Sequence, residues 1–81
     1  MVQYWGKVKI TNDEKVNPFV AVIFAEDAVK EMQKTGMTGE VTEVDVSMEV
    51  ESGRLCAVIT TVDAGGMERK HTHTTAGRYK L

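Results

Sequence analysis

The sequence predicts a single α+β domain over residues 1–81, in which one helix packs on one face of an antiparallel sheet of four to five strands. Three observations favour this class. Apolar and polar residues alternate over Glu40–Glu51, which is the period of a strand with one buried face. Glu26–Thr35 begins with acids, carries lysines toward its end and is followed by Gly36, which is typical of a helix. A threonine-rich segment after the double glycine at 65–66 predicts a last strand.

The central hairpin is predicted from two strands, Glu40–Glu51 and Arg54–Asp63. A two-residue turn at Ser52–Gly53 would place Glu51 opposite Arg54. The same register gives four further pairs: Val50 with Leu55, Met48 with Ala57, Val46 with Ile59, and Val44 with Thr61. The register that gathers the apolar residues on one face is also the one that places Glu51 opposite Arg54, so we expect it to be well specified.

The segment before the helix has two interpretations. A first strand is predicted over Val2–Thr11, followed by a polar turn. Phe19–Phe24 is rich in β-branched and aromatic residues, which favours a second strand and the order ββαβββ. Asn17 before Pro18 is also a good helix cap, and an apolar stripe would follow it. If residues 18–35 are all helix, the order is βαβββ.

Composition excludes a strong global bias toward nucleic acid or membranes, because the net charge is only −2. The charge is unevenly distributed, however. Residues 26–51 carry eight acids against two lysines, a net −6, whereas residues 67–81 carry a net +3. Cys56 is the single cysteine, which fits a reducing compartment. No apolar run approaches the roughly 18 residues of a membrane span, and no secretion signal is evident. A cytoplasmic location is therefore expected.

The predicted sheet carries charges on its outer face. If Gly65–Gly66 is a two-residue turn, the bases of the last strand lie on the same face as the acids of the first hairpin strand. The neutral strip Cys56–Val62 would separate the two groups, while a bulge at the double glycine would reverse the face of the last strand. The predicted partner-binding residues on this face are Glu43, Asp45, Glu49, Arg69, His71 and His73.

Catalytic and metal-binding chemistry is weakly indicated. His71 and His73 would point to the same side of a strand, as metal ligands can, with Cys56 or Asp63 as a third ligand. Two surface histidines are the better interpretation, so no metal or cofactor is predicted. Cys56 beside a histidine could form a nucleophile, but a packed thiol is more usual. The carboxylates are better explained as a solvated strand face than as an acid–base pair.

Trp5 is the most informative aromatic residue. It lies on the polar side of the predicted first strand, beside Lys7 and Lys9. A tryptophan in that setting can be part of the core, can anchor a protein interface, or can stack on a nucleic-acid base. We therefore include Trp5, Lys7 and Lys9 among the candidate partner-binding residues.

The leading functional hypothesis is a small non-enzymatic protein-binding module that acts through a charge-striped sheet face and one edge. In size and predicted architecture, though in no diagnostic motif, the chain resembles many small proteins of phages and mobile elements that bind and inhibit a host enzyme. A homodimer is also expected, because an open sheet must protect its edges. The first alternative is a nucleic-acid binder that uses Trp5, Lys7, Lys9 and the basic segment Arg78–Lys80. The second is a small metal- or cysteine-dependent enzyme.

Overall fold

A computed structural model describes residues 7–10, 17–49 and 51–75. The described elements are, in chain order, β1 (Val8–Ile10), α1 (Pro18–Lys34), β2 (Glu40–Met48), β3 (Leu55–Val62) and β4 (Glu68–Thr74). One helix lies against a four-stranded sheet, which confirms the predicted α+β class in its βαβββ order. The described residues do not include residues 2–6 of the predicted first strand, Trp5 among them. The polar turn predicted at 12–15 also lies outside them. No helix of the described residues is long and apolar enough to cross a membrane.

The segment 19–24 is helical, so the preferred strand interpretation is wrong. Asn17 caps the helix, because its side-chain oxygen accepts hydrogen bonds from the amides of Phe19 (2.9 Å) and Val20 (3.4 Å). Pro18 occupies the first turn, where its missing N–H costs nothing. The apolar stripe that continues along the helix is buried: Ala21, Val22, Phe24, Ala25, Ala28 and Val29. Capping and burial on one side outweigh the local β propensity of these residues.

The sheet has the strand order β1-β2-β3-β4 and is mixed rather than wholly antiparallel. β2 is antiparallel to β3, and β3 to β4, but β1 is parallel to β2 and pairs Val8 with Val44. The parallel pairing follows from the helix between the two strands, because parallel neighbours need a long crossover connection. The expectation of an antiparallel sheet is therefore wrong for β1 alone.

The hydrophobic core lies between α1 and one face of the sheet, which we call the inner face. Leu55, Ile59, Val44 and Val46 are fully buried there, against Val29 and its neighbours on the helix. Side chains alternate between the two faces of a strand, so the other face, the outer face, is turned away from this core. The core is thus one-sided.

The register of the central hairpin differs by two residues from the prediction. Val46 pairs with Ala57 and Val44 with Ile59, so the predicted partners Ile59 and Thr61 are wrong. The cause is a longer loop: the Glu49 amide donates to the Arg54 carbonyl (2.9 Å), and a four-residue connection with Gly53 at φ 71° replaces the two-residue turn. The shift is even, so every side chain keeps its predicted face. The pairing also shifts between Val41 and Glu43, at a bulge.

The β3–β4 hairpin has an odd register shift, and this reverses the face of β4. Val62 pairs with Glu68 instead of Arg69. Asp63 organises the loop, because its carboxylate accepts hydrogen bonds from the amides of Gly65 and Met67, both at 2.9 Å. Gly66 adopts φ 83°, as the last residue of a three-residue loop requires. The bulged alternative at the double glycine is therefore the one the chain adopts.

Candidate binding surface

The outer face of the sheet is not covered by α1, the one helix of the described residues, which packs on the inner face. Lys9 of β1 lies at one side of this face, and β3 supplies its centre. The outer face is formed by Lys9, Glu43, Asp45, Ser47, Cys56, Val58, Thr60, Val62, Glu68, Lys70, Thr72 and Thr74. Among these, Cys56, Val58 and Val62 form a half-buried strip of low polarity between two charged borders. This strip corresponds to the predicted neutral strip.

The border on the β1–β2 side holds an ion pair. Lys9 Nζ lies 2.9 Å from Glu43 Oε1. The hydrogen bond from Lys9, followed by the charges of Lys9 and Lys70 and opposed by partial burial, lowers the pKa of Glu43. The same hydrogen bond raises the pKa of Lys9. The Glu43 side chain is therefore ionised and held in place by Lys9. Asp45, the next acidic residue on the same face, lies half-buried beside it. Glu49 follows the end of β2 and is exposed.

The border on the β4 side is made by Lys70, which the sequence analysis did not select. Its ammonium donates a hydrogen bond to Thr60 Oγ1 (3.2 Å) and lies 3.8 Å from Glu68 Oε1. Thr60 is 4% exposed although it points outward, because the Lys70 side chain reaches across it. If the sequence analysis had assumed a three-residue loop between β3 and β4, it would have placed Lys70 on the outer face. Asp63, three residues before Gly66, is the sequence signal that indicates such a loop.

Arg69, His71 and His73 lie on the inner side of β4, so their prediction as outer-face residues is wrong. His71 Nε2 is 3.2 Å from Thr61 Oγ1, and the His73 ring lies 6.0 Å from the Phe24 ring, centroid to centroid. Both histidines are half-buried, and His73 lies beside Phe24 of the helix, whereas Arg69 is exposed. The acid and base stripes therefore do not flank the neutral strip as predicted.

The thiol and the imidazoles are on opposite sides of the sheet. Cys56 points to the outer face, opposite Thr74, while His73 pairs with Ala57 on the inner face. Asp63 uses its carboxylate in the loop. The structure therefore brings neither a third ligand to the histidines nor a base to the thiol. No group of three or more metal-ligating side chains is found within residues 7–10, 17–49 and 51–75.

Both candidate lysines at the start of the chain make internal contacts. Lys7 Nζ donates to the Val41 carbonyl at 3.0 Å, and Lys9 binds Glu43 as described. Their proposed neighbour Trp5 and the basic segment Arg78–Lys80 lie outside the described residues. Of the residues that the nucleic-acid hypothesis uses, the structure therefore gives contacts for Lys7 and Lys9.

The edge of β4 is a second feature of this surface. β4 is the last strand of the sheet. Hydrogen bonds at its two ends, Asp63 N–H to Met67 C=O (3.1 Å) and Thr75 N–H to Leu55 C=O (3.0 Å), fix which residues bond to β3. Bonded pairs alternate in an antiparallel ladder, so Arg69, His71 and His73 direct their backbone groups toward β3. The backbone groups that point away from the sheet belong to Glu68, Lys70, Thr72 and Thr74.

Comparison of the chain with protein-family models, with curated proteins and with solved structures found no match.

Proposed function

We propose that the chain is a small non-enzymatic protein-binding module whose partner docks on the outer face and the adjoining β4 edge. The observation that supports this proposal is an outer face that no element of the described residues covers, on which a low-polarity strip at Val58 and Cys56 lies between Lys9–Glu43 and Lys70–Glu68. An apolar centre within a polar border is the usual anatomy of an interface. The opposite face of the sheet is occupied by the core, so one face serves folding and the other remains for a partner.

The charged side chains of the outer face are better explained by a role in binding a partner than by a contribution to folding stability. Lys70 and Glu68 have side chains that are 59% and 62% exposed, and exposed ion pairs contribute little to folding. Their alternating signs along the face instead allow electrostatic complementarity, which raises association rates and suppresses wrong partners. Inhibition of a host enzyme, as in the phage proteins that the chain resembles in size, is one use of such binding. We place that binding in the cytoplasm, where Cys56 would stay reduced.

A capture experiment with matched variants tests the proposal. Ser47→Lys inserts a long charged side chain into the outer face, and Gln33→Lys makes the same change in charge on the exposed side of α1. With the immobilised chain and a lysate of the source organism or its host, Ser47→Lys should lower retention of the wild-type partner about tenfold, a loss of about 1.4 kcal/mol. Gln33→Lys should retain it.

Two results would overturn the proposal. One is a wild-type chain that retains no protein above a blank resin. The other is equal retention by Ser47→Lys and wild type, because the docking surface would then lie elsewhere. Circular dichroism of each variant verifies that the fold is unchanged. Sedimentation equilibrium of the purified wild type tests the expected homodimer in the same preparation.

Nucleic-acid binding stays a prediction with its own test. The internal contacts of Lys7 and Lys9 reduce the number of cations available to phosphates, which is why protein binding is preferred. A mobility shift with single- or double-stranded nucleic acid at low salt, weakening steeply as salt is added, would favour this alternative. The enzyme alternative lacks its assembled residues, since Cys56 and His73 are on opposite faces.

A further inference from the structure

We infer that the edge of β4, with which no other described strand pairs, takes an extended, acidic peptide segment of the partner as a fifth strand. This inference rests on the proposed function and names the chemistry of the partner. Strand addition at a sheet edge is a recurring mode of peptide recognition, in which backbone hydrogen bonds supply affinity and side-chain positions supply specificity.

The backbone of β4 is arranged for strand addition. Glu68, Lys70, Thr72 and Thr74 direct their N–H and C=O groups away from β3, as the ladder geometry requires. In the part of the chain that the structure describes, no segment pairs with this edge. β4 is seven residues long, whereas the opposite edge strand β1 has three within the described residues. β4 therefore offers the longer template.

The side chains of β4 specify an acidic occupant. Arg69 and Lys70 are both exposed and, as neighbours on a strand, point to opposite faces. Arg69 has no ion pair within the described residues, and the Lys70 ammonium, besides its hydrogen bond to Thr60, lies 3.8 Å from Glu68. Cross-strand neighbours lie about 5 Å apart. Two consecutive acidic residues in an added strand would therefore place one carboxylate beside each cation.

A second copy of this chain is a poorer occupant of the same edge. Antiparallel pairing of two β4 strands over their full length would place Arg69 opposite His73 and Lys70 opposite Thr72 of the other copy, so neither cation would gain a carboxylate partner. The acidic strand β2 of a second copy is already paired on both sides, with β1 and β3. Lysine on an edge also discourages unwanted strand pairing. If that is its whole role here, acidic peptides will not bind.

Backbone amide exchange gives a direct readout. The probe is a labelled synthetic peptide of the length of β4, composed of valine and threonine with an adjacent aspartate–glutamate pair at its centre. On saturation, amide exchange at Lys70 and Thr72 should slow at least tenfold. Exchange at His71, whose amide already bonds to β3, should change little. A lysine–lysine version of the peptide should not bind.

Two variants separate backbone pairing from charge. Thr72→Pro removes an outward N–H without removing a bond to β3, and edge positions tolerate proline. It should abolish peptide binding, whereas Thr72→Ala should bind like wild type. Lys70→Glu should weaken binding at least tenfold, whereas Lys34→Glu on the exposed helix should not. Circular dichroism verifies that each variant is folded.

The inference fails if the acidic peptide does not bind, if Lys70 and Thr72 gain no protection, or if folded Thr72→Pro and Lys70→Glu bind normally. These failures are distinguishable from failure of the proposed function. A partner captured by wild type, lost with Ser47→Lys and retained by Thr72→Pro would dock on the outer face without strand addition.

Discussion

Asn17 caps the helix that follows it and favours helix over strand in residues 19–24. Its side-chain oxygen accepts hydrogen bonds from two amides of the first helical turn, which otherwise have no partner within the helix. Without these bonds, the β-branched and aromatic residues of 19–24 have no strong local reason to be helical. A single capping residue therefore contributes to the choice between βαβββ and ββαβββ.

Asn17→Ala should lower the free energy of unfolding by about 1 kcal/mol, because the first-turn amides lose their acceptor. Asn17→Asp is the matched control, since a carboxylate also accepts these bonds and should keep most of the stability. Urea denaturation followed by circular dichroism measures both variants. Equal stability of Asn17→Ala and wild type would show that the cap does not stabilise this helix.

The ion pair of Glu43 predicts a pH dependence. The pKa of Glu43 is lower when folded than its ordinary value of 4.5, so its contribution is complete above pH 4.5 and is lost as the pH falls through the lower folded pKa. Glu43→Gln should therefore be less stable than wild type at neutral pH, and the difference should shrink on acidification. Urea denaturation across this pH range measures it.

Glu49→Gln is the control for this measurement, because the Glu49 side chain is exposed and makes no ion pair within the described residues. It should differ less from wild type at neutral pH. A stability difference between Glu43→Gln and wild type that grows on acidification would contradict the assigned role of Lys9.

At the scale of the element, the loops set the pairing of the strands. The connection after β2 is two residues longer than the simplest turn, which shifts partners and preserves faces. The connection after β3 differs by one residue, which reverses the face of β4. Both loops are longer than the sequence analysis predicted, but the two-residue difference leaves side chains on their predicted faces and the one-residue difference reverses them. Lys70 therefore lies on the outer face, whereas His71, which was predicted to lie there, is on the inner face.

Amide exchange of the free protein tests which backbone groups of β4 point toward β3. The amides of Arg69, His71 and His73 bond to β3 and should exchange slowly, whereas those of Lys70 and Thr72 should exchange rapidly. Nuclear magnetic resonance after transfer to deuterated water measures this alternation. Slow exchange at Lys70 and Thr72 would contradict this assignment, because their amides would then be bonded within the sheet.

At the scale of the whole molecule, stability depends on one interface. α1 packs on the inner face, and the fully buried side chains lie there, among them Ile59 and Val29. A domain of this size buries only about 60% of its unfolded surface, so each core side chain matters. Within residues 7–10, 17–49 and 51–75, the outer face contributes half-buried residues such as Val58 but no second core.

Ile59→Ala and Val58→Ala compare the two faces at neighbouring positions. Ile59→Ala should cost about 2–5 kcal/mol, because it leaves a cavity under the helix. That is a large part of the 5–15 kcal/mol typical of a small domain. Val58→Ala should cost about 1 kcal/mol or less, since its side chain already contacts solvent. Chemical denaturation measures both, and a larger loss for Val58→Ala would place the core on the other face.

The sequence by itself determined the elements whose signals are local. Alternation over β2 and the caps at Asn17 and Gly36 indicate where strands and helix lie, and the period of two correctly assigns the buried face of β2 and β3. The helical interpretation of residues 18–35 was also readable, but local propensity for a strand competed with it. Burial of one side of the helix against the sheet resolves that competition.

Only the tertiary structure decided the register of both hairpins, the parallel direction of β1 and the face of β4. These features depend on how many residues each loop uses and on where the chain returns after α1, and hydrophobic period is unchanged by an even shift in pairing. The candidate surface was therefore found in part: Glu43 and Asp45 follow from alternation. The outer-face position of Lys70 depends on the Asp63 hydrogen bonds, which organise a loop one residue longer than the predicted turn.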